Sequence, residues 1–311
     1  MKYFEQKIGN NGAHAKFYFQ EPNKEIDVNR KYPTIVVLPG GAFMWTSFRE
    51  DEPIALRFLA EGFNVVVAHY ATDGIAAYAG ADVESFPKHP VTKFPNSIVE
   101  VAKVLVFLRE NAEKYAINPD QISVMGFSAG GTVAGMLGVF WNEPWMKKLV
   151  GADNAMFKPN SLMIGYGAVD LTRKSTRPLP ASMRHANQES STNKMFYALT
   201  GEENPTKDEL EAMNPINHVS SSTPPTFLWH TQEDPLVPVL DSVYFAAKLE
   251  EHGVPFELHV FTKGKHGLAL GDYRSGVKKD QTNAQVFKWV DLYLEWLVPR
   301  KTIRGGFYEG I

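Results

Sequence analysis

Gly126-Phe127-Ser128-Ala129-Gly130 decides the fold of this chain, because it follows the apolar run Ile122-Ser123-Val124-Met125 and opens the small-residue stretch Gly131-Thr132-Val133-Ala134-Gly135-Met136-Leu137. The pattern predicts a strand, a sharp turn and a helix. A bare G-x-S-x-G arises by chance often enough to mean little. The strand before it and the helix after it give it weight, since a serine on such a turn is held in strained backbone geometry with its hydroxyl clear of the sheet. The flanking glycines let helix and strand approach closely. Ser128 is therefore the candidate nucleophile.

Working outward, the runs Thr34 to Leu38, Asn64 to Ala68, Ile122 to Met125, Leu162 to Ile164, Thr226 to Trp229 and Glu257 to Phe261 are short, mostly apolar and rich in β-branched residues. Such runs suit strands covered on both faces. Helical patterns lie between them, from Pro53 to Ala60, Asn96 to Lys114, Ser128 to Phe140, Val239 to His252 and Asn283 to Leu297. Alternation of this kind predicts an α/β fold, a mostly parallel, doubly wound sheet. Ala15 to Gln20 alternates instead, predicting one early antiparallel strand. Two stretches break the pattern: residues 71–95, with Tyr78 and Phe86, and residues 171–222, with Pro178, Pro180, Pro205 and Pro215. Both are expected to be insertions acting as a cap or lid, with surface excursions as the alternative. One short helix is expected between Glu202 and Met213. No linker separates the parts, so residues 1–311 are expected to form a single domain.

Bulk composition narrows the partners. The chain has 311 residues, 44% of them hydrophobic, a formal net charge of −3 and no cysteine. The charge offers no basic field for nucleic acid or an anionic membrane surface. Without cysteine there is no disulfide, thiolate metal site or thiol nucleophile. No apolar run is long enough to span a membrane, and the first seven residues lack the apolar core of a signal peptide, so a cytoplasmic protein is expected. Closely spaced histidine and carboxylate ligands are missing too, so neither a metal nor another cofactor is expected.

A serine hydroxyl needs a base, and the base needs a carboxylate to fix its tautomer and balance its charge. His266, in Lys263-Gly264-Lys265-His266-Gly267-Leu268, follows the last strand at its carboxyl end, where ligands bind in open α/β sheets. His259 inside that strand and His252 at a helix end are expected to be structural. His230, ending the preceding strand, is placed beside the site. For the acid, Asp234 in Glu233-Asp234-Pro235-Leu236-Val237-Pro238 is preferred, and Asp170 after the strand at 162–164 is its rival. Leu38-Pro39-Gly40-Gly41-Ala42-Phe43 supplies a glycine loop whose N–H groups at Gly41 and Ala42, with that of Ala129, are the expected oxyanion donors. Phe43, Trp45 and Phe127 are candidate substrate contacts. Arg49-Glu50-Asp51-Glu52 is expected to be the charged start of a helix, with no part in chemistry.

With these residues in view the chain resembles the α/β-hydrolase superfamily, and within it small-ester serine esterases similar to bacterial acetyl esterases and acetylxylan esterase-like proteins. The order Ser128, Asp234, His266 is the order of that superfamily, and the resemblance covers about Thr34 to Leu297. Pro39 stands where many relatives carry histidine, and Ala42 replaces the third glycine of the usual loop. The resemblance implies hydrolysis of short-acyl esters, including those of acetylated sugars or xylo-oligosaccharides, through an acyl-enzyme. A peptidase or arylformamidase would use the same triad, and a non-catalytic binding module of the same fold is the remaining alternative. A homodimer is left open.

Overall fold

A computed structural model describes residues 1–80, 83–173 and 188–297, with the side chains of residues 188–193 outside the description. Its frame is an eight-stranded sheet. In chain order the strands are β1 (Lys2–Lys7), β2 (His14–Phe19), β3 (Tyr32–Leu38), β4 (Asn64–His69), β5 (Ile117–Phe127), β6 (Ser161–Gly165), β7 (Thr226–Thr231) and β8 (Phe256–Phe261). They lie in the spatial order β1-β2-β4-β3-β5-β6-β7-β8. From β4 to β8 all neighbours are parallel, whereas β1–β2 and β2–β4 are antiparallel.

The inner parallel strands are largely apolar on both sides, whereas β8 at the edge is only half-buried and carries Glu257 and His259; the pleat sends alternate residues to opposite faces. Val36 and Leu38, Ile122 and Val124, Leu162 and Ile164 join one buried cluster, while Ile35 and Val37, Met125 and Phe127, and Met163 join the other. The first face is covered by α2 (Asn96–Glu110), α3 (Ala129–Phe140) and α7 (Val239–Glu251), the second by α1 (Glu52–Ala60) and α8 (Trp289–Leu297). All twelve residues of α3 are buried, which explains its lack of a polar face. Shorter helices are α4 (Pro144–Val150), α5 (Gln188–Thr200) and α6 (Lys207–Met213). The α6 helix falls within the Glu202 to Met213 stretch and starts with a capping box, Thr206 and Glu209 exchanging hydrogen bonds with each other's backbone N–H groups;.

The early antiparallel element is a pair rather than one strand. Its partner, β1, is Lys-Tyr-Phe-Glu-Gln-Lys, exposed except for a half-buried Phe4. Charged residues of this kind blunt the edge of a sheet, and they hide a strand from a search for apolar alternation. Phe4 stacks on Phe17 at 4.7 Å between ring centroids.

The described parts of the two insertions pack on each other. Phe86 lies 5.5 Å from Tyr78 and 5.3 Å from Tyr197, all three buried. The Tyr197 hydroxyl donates to the Pro87 carbonyl, and the Lys194 ammonium donates to the carbonyls of Tyr78 and Gly80. The middle of the second insertion, with Pro178 and Pro180, lies outside the described residues, as do residues 298–311.

Candidate active site

Parallel strands place their carboxyl ends on one edge of the sheet, and five neighbouring strands deliver residues there. After β3 comes Pro39-Gly40-Gly41, after β5 Ser128, after β6 Tyr166, after β7 Asp234 and after β8 His266. This is the edge at which open α/β sheets bind ligands.

Ser128 has φ 52° and ψ −122°, an uncommon conformation for a residue with a side chain;. Close approach on either side forces it. A Cβ on Gly130 would sit 2.1 Å from the Leu38 carbonyl oxygen, and one on Gly126 would sit 2.1 Å from that of Gly130. The Ser128 N–H donates to the Gly165 carbonyl at 3.0 Å, which fixes the turn to β6. The side chain is half-buried.

The serine hydroxyl lies 2.7 Å from His266 Nε2, and His266 Nδ1 lies 2.7 Å from Asp234 Oδ2. With Nδ1–H donating to the carboxylate, Nε2 is free to accept from the serine O–H, an assignment made from the partners. Asp234 is buried and fully coordinated. Its Oδ1 accepts from the N–H groups of Leu236 at 2.8 Å and Val237 at 3.0 Å. Its Oδ2 also faces His230 Nε2 at 3.3 Å. His230, expected beside the site, thus lies against the acid rather than the serine. Burial opposes ionisation of Asp234, yet the charge of His266 and hydrogen bonds from His230 and His266 outweigh it and hold the carboxyl well below the usual range;. Burial likewise disfavours a charged His266, but the charge and hydrogen bond of Asp234 and the charge of Glu50 raise its pKa;.

Asp170 sits elsewhere. It accepts from the Thr172 hydroxyl at 2.7 Å and the Asn214 amide at 3.1 Å, and pairs with Arg173 at 2.8 Å. Those contacts clasp the base of the second insertion. His259 pairs with Glu257 on β8, and His252 caps the end of α7.

The glycine loop lies against the serine. A Cβ on Gly40 would be 2.7 Å from Ser128 Cβ, and Gly41, Ala42 and Phe43 all have positive φ. The Gly40 N–H is engaged by Glu50 at 2.7 Å. The Ala129 N–H is the first of α3, where no intrahelical acceptor exists;. The buried Thr92 hydroxyl donates to the Phe43 carbonyl at 2.9 Å, tying the first insertion to this loop.

Two of the candidate substrate contacts are placed otherwise by the structure. Phe127, on β5, points into the core with no exposed surface, between Tyr166 and Trp289. Phe43 is equally enclosed, in the core on the opposite face. Trp45 alone of the three is partly exposed.

The sequence also conceals Glu50. The helix at residues 52–60 does begin beside the charged run, but Glu50 turns inward, with 3% exposure, and bonds to Gly40 and Tyr166. A glutamate between Arg49 and Asp51 reads as solvated, and only the tertiary contacts reveal otherwise.

A family model described as BD-FAE matches residues 22–249. The chain is similar to endo-1,4-beta-xylanase B of Butyrivibrio fibrisolvens, 31% identical over 78% of this chain and 33% of that protein. It spans between 27% and 53% of the lengths of five curated relatives. Among solved structures it is similar to the acetyl ester-xyloside bifunctional hydrolase from Caldicellulosiruptor lactoaceticus, with 29% identity, a TM-score of 0.68, and 92% and 87% of the two chains covered. The carboxylesterase Cest-2923 from Lactobacillus plantarum WCFS1 shares the fold, with a TM-score of 0.77 at 23% identity over 96% and 98% of the chains.

Proposed function

This chain belongs to the BD-FAE family, and from that premise we propose that it is a serine hydrolase that cleaves short-acyl carboxylic esters through an acyl-enzyme on Ser128. The observation that carries the proposal is the unbroken relay of two 2.7 Å contacts from Ser128 through His266 to Asp234. His266 takes the serine proton as Oγ attacks the ester carbonyl, and Asp234 holds the imidazole in the tautomer that can accept it. The tetrahedral oxyanion is met by the N–H groups of Ala129, Gly41 and Ala42. His266 then returns the proton to the departing alcohol, and water repeats the sequence on the acyl group.

Sugar esters are the proposed substrate class. The names of similar proteins, an acetyl ester-xyloside hydrolase and a xylanase, support it. So does the partly exposed Trp45 beside the glycine loop, an aromatic surface on which a sugar face can rest. The two insertions are proposed to wall the site of a single domain, with the Thr92 to Phe43 bond supporting that placement for the first. A cytoplasmic setting is proposed, which a chain without cysteine suits;. Among the described residues no helix is long and apolar enough to cross a membrane.

A p-nitrophenyl ester series from acetate to decanoate, followed by acetylated xylo-oligosaccharides, tests the proposal. Acetate and propionate are expected to be cleaved fastest, with acetate released from the sugars. Faster turnover of decanoate would refute the short-acyl assignment.

A further inference from the structure

We propose that Glu50 is a positioning residue for the Ser128 site, joining the glycine loop that faces the nucleophile to the loop that carries His266 and bringing a negative charge to bear on the imidazole. This rests on Ser128, His266 and Asp234 acting as the acyl-transfer relay. Both carboxylate oxygens of Glu50 are in use. Oε2 accepts the Gly40 N–H at 2.7 Å and Oε1 accepts the Tyr166 O–H at 2.7 Å. The Tyr166 oxygen in turn accepts the Ala269 N–H at 3.0 Å, three residues beyond His266. Glu50 and Tyr166 together therefore link the loop after β3, the end of β6 and the loop after β8, with Ser128 between them.

The backbone at these points is strained, and strain of this kind persists only where the surroundings over-determine it. Among the described residues, six without glycine's freedom have positive φ. Five are Ala42, Phe43, Ser128, Tyr166 and Ala269; the sixth, Ala116, lies apart. The five sit at the nucleophile or on the loops that Glu50 joins. A carboxylate removed from water is tolerated when its oxygens are satisfied, and here the donors that satisfy it belong to the site's own framework.

Proximity to the imidazole is the second support. The Tyr166 ring meets His266 edge-on at 5.1 Å. The groups facing His266 are Asp234 from the β7 loop, Tyr166 from the β6 end, and Arg49 and Glu50 from the turn before α1. Arg49 opposes a charged imidazole and is anchored by its Nε to the Ser275 carbonyl at 2.5 Å. Asp234 and Glu50 favour it. As His266 becomes imidazolium in the transition state, Glu50 stabilises the new charge without reorganising.

Glu50→Gln preserves the shape, removes the charge and turns one end into a donor that opposes either the Gly40 N–H or the Tyr166 O–H. It is expected to lower kcat about tenfold to a hundredfold with KM changed little. Imidazole NMR of the resting protein should show the His266 pKa falling relative to the wild type. Tyr166→Phe keeps the charge and cuts the link to Ala269, so kcat should fall while the His266 pKa does not. A Glu50→Gln protein whose His266 titrates as in the wild type would reduce Glu50 to a structural brace and overturn the proposal. If that variant does not fold, Tyr166→Phe with wild-type kcat overturns it instead. The titration is read without substrate, so failure of the relay itself, seen as activity surviving in Ser128→Ala, is told apart from failure here.

Discussion

Replacing Asp234 by asparagine should lower kcat by about 10⁴ while leaving the fold in place, and the structure indicates why so small a change is so damaging. The carboxylate lies in a fixed frame of donors. Backbone N–H groups of Leu236 and Val237 approach Oδ1 at 2.8 and 3.0 Å, and these cannot turn away. An asparagine must therefore present its oxygen to them, which aims its NH₂ group at His266 where Oδ2 now accepts from Nδ1 at 2.7 Å. An NH₂ group facing Nδ1 requires that nitrogen to be the acceptor. The ring proton moves to Nε2, the atom 2.7 Å from Ser128 Oγ that must receive the serine proton. The base is present but in the wrong tautomer. Asp170→Asn is the matched control, because its partners are Thr172, Arg173 and Asn214 rather than His266; it should alter stability or cap position and keep most of the turnover. Steady-state hydrolysis of p-nitrophenyl acetate, with circular dichroism to verify folding, decides between them. A folded Asp234→Asn enzyme within tenfold of wild type, beside an inactive Asp170→Asn, would refute the assignment of the acid.

Gly130→Ala should cost about 1–3 kcal/mol of stability through overpacking, since the new methyl would meet the Leu38 carbonyl oxygen at 2.1 Å;. As α3 recoils it carries Ser128 and the Ala129 N–H with it, so kcat should drop about 10²-fold; thermal melts and kinetics that match wild type would contradict the close approach. The pH dependence follows from the two shifts at the site. His266 must be neutral to act as a base, and because its pKa is raised, kcat/KM should fall on acidification through a midpoint above about 6.5;. Its contribution to stability has the sign of a raised group, present in full below the unfolded value and lost as pH rises through the folded one. Asp234, held low when folded, contributes above the ordinary aspartate value and loses that contribution as the pH falls toward its folded value;. A pH–rate profile with its acid limb well below 6, or a denaturation midpoint flat between pH 2 and pH 5, would count against these shifts.

What could be read from sequence was what local chemistry dictates. Ser128 between glycines, the β-branched runs, and loops following strand ends all announce themselves within a few residues. The sheet and its winding are accordingly as expected, with helix ends moved by up to six residues, as at α8, which starts at Trp289 rather than Asn283. The signals failed where the environment decides. β1 is an edge strand and needs no apolar face, so its charged sequence conceals it;. Phe43 and Phe127 adjoin the serine loops in sequence, but the pleat and the loop conformation turn both rings into the core. Glu50 is the converse case, a residue that looks solvated until Gly40 and Tyr166 are seen to enclose it.

The central claim is a covalent intermediate on Ser128, and the most direct measurement is the site of modification by a fluorophosphonate probe, read by peptide mass spectrometry alongside ester hydrolysis. One phosphonyl group should be found on the peptide carrying Gly126 to Gly130, with hydrolysis lost in step with labelling, and a folded Ser128→Ala protein should show neither. A label on another residue that tracks the loss of activity, or wild-type turnover in Ser128→Ala, would contradict the account.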